Sequence, residues 1–308
     1  MPVFEEQPDT CRGGIVAIGN FDGVHRGHQR MVEVLTDRAT AAGVPSVAMT
    51  FDPPPVALLR PDRVPPSLTT TKRRAELLKS YGVDKVLVWP TSLKLLKLTP
   101  REFFDQIILG QLQATGLVEG PNFFFGRDRA GNVETLAEYC DQAGLTFEVV
   151  QPVTDSKELV SSSRIRQLVS EGDLTASVEM LGHAYRVTGN VSHGAGRGKS
   201  IGFPTANLVD IATLVPVDGV YAGFCRIGAQ EYAAAVNIGP NPTFADGKQK
   251  VEVHLLDYSG DLYDASLDVD LLSRIRSVQT FETPAELQEQ IRKDVQSARE
   301  IYSRSRTP

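Results

Sequence analysis

Between Gly14 and about Val153 the chain alternates short apolar runs with stretches of helical periodicity. The run "IVAIGNF" is followed by "RGHQRMVEVLTDRATAAG", in which Met31, Val34, Leu35 and Arg38 recur at helical spacing and Gly43 supplies a stop. The run "SVAMTF", a helix around Lys72 to Tyr81, the strand "DKVLVWP", a helix from Pro100 to Gln113 and the strand "TFEVVQPV" continue the alternation. Strands alternating with helices predict an α/β fold, a parallel sheet covered on both faces.

After Gly182 this rhythm stops. The runs "YRVTGNV", "GVYAGFCRI", "EYAAAVNI", "KVEVHLL" and "LDVDLL", separated by Gly, Asp and Asn, predict an antiparallel barrel or sandwich. One helix follows: "TPAELQEQIRKDVQSAREIYSR" sets Leu287, Ile291, Val295, Ala298 and Tyr302 on one stripe, with Thr283 as cap and Pro284 at the first helical position. The change of rhythm puts the domain border near residue 183, giving domains 1–182 and 183–308.

Composition fits that division, since 308 residues suffice for two domains with their own cores, and 41% hydrophobic with 23% charged residues is ordinary for a soluble protein. A net charge of -6, with basic residues scattered apart from Lys72-Arg73-Arg74, argues against broad nucleic-acid binding. Cys11, Cys140 and Cys225 are odd in number and widely spaced, which predicts neither a disulfide framework nor a zinc ribbon. The start "MPVFEEQPDTCRGG" has acidic residues where a secretory signal would be basic, and no apolar run approaches the roughly 18 residues of a membrane helix. The expectation is a cytoplasmic protein with no membrane partner; self-association is left open.

Chemistry concentrates at two glycine-rich segments. "GNFDGVHRGHQ" ends the first strand and opens the first helix, where open parallel sheets bind ligands and where free N–H groups favour phosphate. His25 and His28 are three apart, so both imidazoles lie on one side of the first turn, and Gly19, Gly23 and Gly27 allow close approach of the backbone. Read alone, Asp22 is a cap, the glycines are turn formers and the histidines are half a metal site without a third ligand at zinc spacing.

The second segment, "SHGAGRGKSIGFPTANL", looks like a P-loop but has His193 where the first glycine belongs. Gly202 and Pro204 also prevent a helix after Lys199, because Pro inside a helix costs about 3 kcal/mol or more. What remains is a strand, then a loop whose successive N–H groups can form an anion nest. Thr205 and Asn207 follow, with oxygen atoms suited to Mg²⁺.

The first motif resembles the His-x-Gly-His signature of nucleotidyltransferases. With "TFDPPP", "GPNFFFGRDRAGN" and "SSSRIRQLVSEG" in that order, the chain is similar to the prokaryotic-type bifunctional riboflavin kinase/FAD synthetase family. "GFPTAN" behind a Gly/Arg loop is the hallmark of the kinase module, and "DGVYAG", "VNIGPNPTF" and "KVEVHLLD" match further kinase segments, so the resemblance runs from about Gly14 to Arg299. It implies a Rossmann-like nucleotidyltransferase domain that makes FAD from FMN and a β-barrel that makes FMN from riboflavin, with ATP and Mg²⁺ at both.

By that resemblance Gly19, Asn20, Phe21, Asp22, Asn122, Arg127, Ser162, Ser163 and Arg166 bind the first ATP, with His25 and His28 catalytic. Gly194, Gly196, Arg197, Lys199, Gly202, Pro204 and Asn237 bind the second, Thr243 helps shape that pocket, and Thr205 and Asn207 hold the metal. Glu252 is the base for the ribityl hydroxyl, and Arg276 lies by the flavin. Asn122 stands where many relatives have Asp, and Ser163 replaces Thr. The segment "LLSRIR" lacks the usual aromatic. Two rivals are a nucleotidyltransferase for another acceptor and a flavin sensor without turnover that binds RNA. Retention of His25, His28, Thr205, Asn207 and Glu252 counts against lost catalysis, and the acidic balance against RNA.

Overall fold

The computed structural model describes residues 8–155, 158–193, 202–241 and 246–306. These form two compact units, one of residues 1–65 with 71–161 and the other of residues 66–70 with 162–308.

The first unit is built on a parallel sheet. Strands β1 (Ile15–Ile18), β2 (Ser46–Asp52), β3 (Lys85–Pro90), β4 (Gly116–Glu119) and β5 (Thr146–Val149) lie in the order β3-β2-β1-β4-β5. Strand alternation divides the apolar residues between two cores. Val16, Ile18, Val47, Met49, Leu87 and Leu117 face one, with Phe104, Ile108, Leu112 and Leu136. Ile15, Ala17, Ala48, Val86 and Val118 face the other, with Met31, Val32 and Leu35 of helix α1 (Arg26–Ala42) and Ala75, Leu77 and Leu78 of α2 (Thr71–Ser80). Gly43, left-handed at φ 67°, ends α1 by donating to the Ala39 and Thr40 carbonyls, as the sequence predicts.

The helix expected over 100–113 is regular only as α3 (Pro100–Phe103), opened by a Thr99/Glu102 capping box. Over Phe104–Gln111 the turns widen, and the Leu112 N–H reaches the Ile107 carbonyl at 2.9 Å. The wide turn brings Ile107, Ile108 and Leu112 together into one core. Helix α4 (Val133–Ala143), absent from the sequence reading, is capped by the Asn132 side chain and covers the same core through Leu136 and Cys140.

The second unit begins with helices α5 (Ser162–Glu171) and α6 (Leu174–Leu181), which pack with the barrel that follows them. Strands β6 (Tyr185–Ser192), β7 (Ala206–Val209), β8 (Gly219–Ile227), β9 (Gln230–Asn241), β10 (Asp246–Leu255) and β11 (Ser266–Arg276) close into a barrel in the order β8-β9-β10-β7-β6-β11. All its described pairings are antiparallel. Closure leaves no free sheet edge. Helix α7 (Pro284–Ser305) has Thr283 as N-cap and Pro284 in its first turn, as predicted. Ala298 is buried on its inner face beside Asp294, a charge at a position the apolar stripe did not foretell.

Candidate functional site

In the first unit the Gly19–His28 segment joins the end of β1 to α1. Gly19 is still held as strand, its N–H on the Met49 carbonyl at 3.0 Å. The chain then turns sharply: Phe21 and Val24 adopt positive φ (46° and 39°) on either side of Gly23 at 85°. Non-glycine residues rarely take such values and do so at sites the surroundings over-determine. Two buried contacts supply that determination. Thr50 Oγ1 donates to the Asn20 carbonyl at 3.2 Å, and Arg74 of α2 pairs with Asp22 at 3.5 Å and donates to Thr50 Oγ1 at 3.2 Å. Asp22 is thus the buried partner of an arginine and leaves the cap of α1 to another residue.

That residue is His25, whose Nδ1 accepts the His28 N–H at 3.4 Å. An accepting Nδ1 leaves the His25 proton on Nε2. The two imidazoles stack at 3.7 Å between centroids and 17° between planes, and Phe21 meets His28 edge-on at 5.3 Å. Gly27 makes room for this stack, since a Cβ there would lie 3.2 Å from the His25 ring. Burial, then the neighbouring His25 and Arg74, hold the His28 imidazole well below the usual histidine range, so it is neutral at neutral pH. Its Nδ1 is buried and has no hydrogen-bond partner among the described residues, an orphaned polar atom at a helix N-terminus where an anion would be welcome.

The sequence also predicts contacts to this nucleotide from residues beyond the Gly19–His28 segment. Asn122 and Arg127 are exposed in the turn after β4. Gly126 there has φ 72°, and a Cβ would come within 2.6 Å of the Pro100 nitrogen, so glycine is required. Phe125 is buried and Phe123 stacks on it, whereas Phe124 is exposed with the Arg129 guanidinium 4.6 Å over its ring. Ser162, Ser163 and Arg166 belong to α5 in the second unit, where Arg166 Nε donates to the Pro66 carbonyl at 2.8 Å.

In the barrel, register assembles the chemistry. Asn237 of β9 stands directly opposite Glu252 of β10, Glu252 opposite Asn207 of β7, and Asn207 opposite Ser192 of β6. Directly opposed residues share a face of the sheet. Amide, carboxylate, amide and hydroxyl therefore form one half-buried row across four strands. The preceding segment is fastened from β10: His254 Nδ1 donates to the Pro204 carbonyl at 2.8 Å, and its ring meets Phe203 edge-on at 5.6 Å. This bond also fixes the proton on Nδ1. Gly202 takes φ 86° at the end of the glycine loop, and Thr205 is half-buried just before β7. Gly194, Gly196, Arg197, Lys199 and Thr243 lie outside the described residues.

Arg276, expected beside the flavin, is bound at every guanidinium nitrogen. Nε and Nη2 grip Asp294 of α7 at 2.9 and 2.7 Å, and Nη1 donates to the Ser277 carbonyl at 2.9 Å. That fork ties the last strand to the last helix and explains the buried charge at 294. Sequence reading missed Arg74 and the fastening role of His254. In the sequence the triplet at 72–74 reads only as a small basic cluster, yet Arg74 is buried.

Two family models match this chain, FAD synthetase over residues 7–164 and riboflavin kinase over residues 181–302. The bifunctional riboflavin kinase/FMN adenylyltransferase of Pseudomonas fluorescens is 38% identical, covering 96% of this chain and 94% of its own. That of Bacillus subtilis is 34% identical over 99% and 96%, and that of Escherichia coli K12 34% identical over 94% and 93%. A solved structure described as a macrolide-efflux protein from Streptococcus pneumoniae matches with a TM-score of 0.83 at 33% identity, covering 94% of each chain. Among the described residues no helix is long and apolar enough to cross a membrane. The chain belongs to the bifunctional riboflavin kinase/FMN adenylyltransferase family.

Proposed function

We propose that this chain phosphorylates riboflavin to FMN in its C-terminal domain, 183–308, and adenylylates FMN to FAD, releasing pyrophosphate, in its N-terminal domain, 1–182. The observation that carries the second reaction is the buried Nδ1 of His28, without a partner among the described residues, in a stack with His25 at the N-terminus of α1. The FMN phosphate oxygen attacks the α-phosphorus of ATP in line, and the protein supplies position and charge stabilisation rather than a nucleophile. His25 presents Nε2–H, while His28, held neutral by its surroundings, gains a favourable partner when a phosphate arrives. Asn20 and Phe21 shape the loop, and Asn122, Arg127, Ser162, Ser163 and Arg166 are assigned to this nucleotide on the resemblance alone.

In the barrel, Glu252 takes the proton of the ribityl hydroxyl as it attacks the γ-phosphorus, and ADP leaves. Asn207 offers an amide oxygen opposite the Glu252 carboxylate and Thr205 a hydroxyl two residues before Asn207, a hard donor set that suits Mg²⁺ completed by phosphate and water. The cation would neutralise charge on the transferred phosphoryl group. Asn237, at the end of the same row, orients the glutamate or the nucleotide. The three cysteines are buried free thiols, as suits a reducing cytoplasm.

Purified full-length chain with riboflavin, ATP and Mg²⁺ should form FMN first and FAD after it, resolved by chromatography. FMN supplied with CTP or GTP should give no dinucleotide. A dinucleotide from another triphosphate, or no flavin product at all, would favour the rival acceptors or the sensor.

A further inference from the structure

Glu119, the last residue of β4, is 1% exposed, and among the described residues no cation pairs with it. A buried carboxyl without a counter-ion is costly, and an apolar residue would fill such a place at no penalty if packing were all that mattered. Its bonds show what it does. Oε1 accepts the Ile18 N–H at 2.8 Å, while its backbone carbonyl accepts the Val150 N–H at 2.8 Å.

The β1–β4 ladder pairs only Ile15 with Gly116 and Val16 with Leu117. Beyond that pairing no backbone acceptor of β4 bonds Ile18, and the Glu119 side chain takes its place. On the other edge of β1 the Gly19 N–H is held by the Met49 carbonyl. The last peptides of β1 are therefore fixed from both sides, immediately before the Asn20–Gly23 turn and the paired imidazoles. The sheet order reverses between β1 and β4, the crevice where open parallel sheets take their ligands.

We propose that Glu119 is a positioning residue for adenylyl transfer, its carboxyl completing the hydrogen bonding of β1 and so setting the point from which the His25–His28 loop leaves the sheet. This rests on the reading of that loop as the adenylylation site. Burial lifts the Glu119 carboxyl well above its ordinary range, against the smaller opposing pull of the Ile18 N–H. The Cys140 thiol of α4 is pushed up to about 12, by burial first and then by the neighbouring Glu119. Asp22 of the neighbouring loop and Arg74 of α2 are paired with each other.

The test compares Glu119→Leu, which keeps bulk without an acceptor, with Glu119→Gln, a neutral acceptor, both in the full-length chain. Glu119→Leu should lower kcat for FMN adenylylation by about 10- to 100-fold, the scale of a misplaced reacting group, with riboflavin phosphorylation unchanged. Glu119→Gln should stay within about threefold at neutral pH, the acceptor being kept. The wild type should also lose adenylylation at alkaline pH as the buried carboxyl ionises, and the Gln variant should lack that limb. Wild-type transfer in the Leu variant, equal damage in both variants, or the same alkaline limb in the wild type and the Gln variant would overturn the proposal. If limited proteolysis finds the N-terminal unit of the Leu variant unfolded, the pH profile of the Gln variant decides. Retained transfer in His28→Ala would instead overturn the reading of the loop, which separates the two failures.

Discussion

The two sites are built on opposite plans. The first is contiguous: ten residues from Gly19 to His28 carry the turn, the cap and both imidazoles. The second is an array in which Ser192, Asn207, Glu252 and Asn237 come from four strands and meet only through the closed barrel. A contiguous site draws its precision from backbone strain held by a few buried contacts. An array draws it from register, which a one-residue slip would destroy because every side chain would change face.

The comparison breaks most sharply at the residues that face the reacting atoms. Glu252→Gln removes the base and leaves the row's register intact, so FMN formation should fall by about 10² to 10⁴, the usual worth of a general base. Supplied FMN should still be adenylylated at the wild-type rate, followed as FAD by chromatography. Loss of both activities would mean that the sites are not independent.

Arg74→Met tests the support of the contiguous site. It removes the buried cation that pairs with Asp22, and breaking a buried pair in this way costs about 3–5 kcal/mol. Urea unfolding should show that loss in the first unit only, and Asp22→Asn added to Arg74→Met should recover part of it. An additive double variant would show that the two side chains do not act as a pair.

His28→Ala should lower adenylyl transfer by about 10² to 10³, taking loss of one preorganised donor as the guide, with riboflavin phosphorylation intact. Unchanged pyrophosphate release would end the role. Its pH behaviour sharpens the point. The folded chain holds His28 neutral where an unfolded chain would protonate it, so stability of the first unit should drop as pH falls through the ordinary histidine range. The alanine variant should lack that slope. ATP should raise the His28 titration towards the usual value, as followed by NMR.

The same contrast explains what the sequence could disclose. Helix α1 with its Gly43 stop, the terminal helix with its Thr283–Pro284 start and the alternation of the first sheet are local patterns, and each is legible. So is the adjacency of His25 and His28, set by helical spacing. The capping role of His25 and the pairing of Asp22 with Arg74 are not legible, because both depend on which distant chain fills the space around the loop. In the barrel, "GFPTANL" shows no strand to the sequence reading because Gly202, Pro204 and Asn207 interrupt it, yet Ala206–Val209 is a strand of the closed cylinder. Pairing with β6 and β10 overrides that weak local preference. Resemblance to a family singled out Asn207, Glu252 and Asn237, but only register shows that they are neighbours.

The smallest effect should come from the bond that fastens the array's one irregular segment. His254→Phe keeps a ring edge-on to Phe203 and removes only the donor to the Pro204 carbonyl. Such a bond is worth about 0.5–1.5 kcal/mol net, so KM for Mg-ATP in riboflavin phosphorylation should rise about two- to tenfold while kcat stays near the wild type. Glu252 sits two residues away on the same strand, and its opposition to Asn207 does not depend on the histidine ring. A fall in kcat with KM unchanged would therefore place the loss at the base rather than at the nucleotide segment, and would show that the segment and the row move together. If the split is seen as expected, the array tolerates slack in its loop because its reacting groups are fixed by strands, a tolerance that the contiguous site, with no such division, should not share.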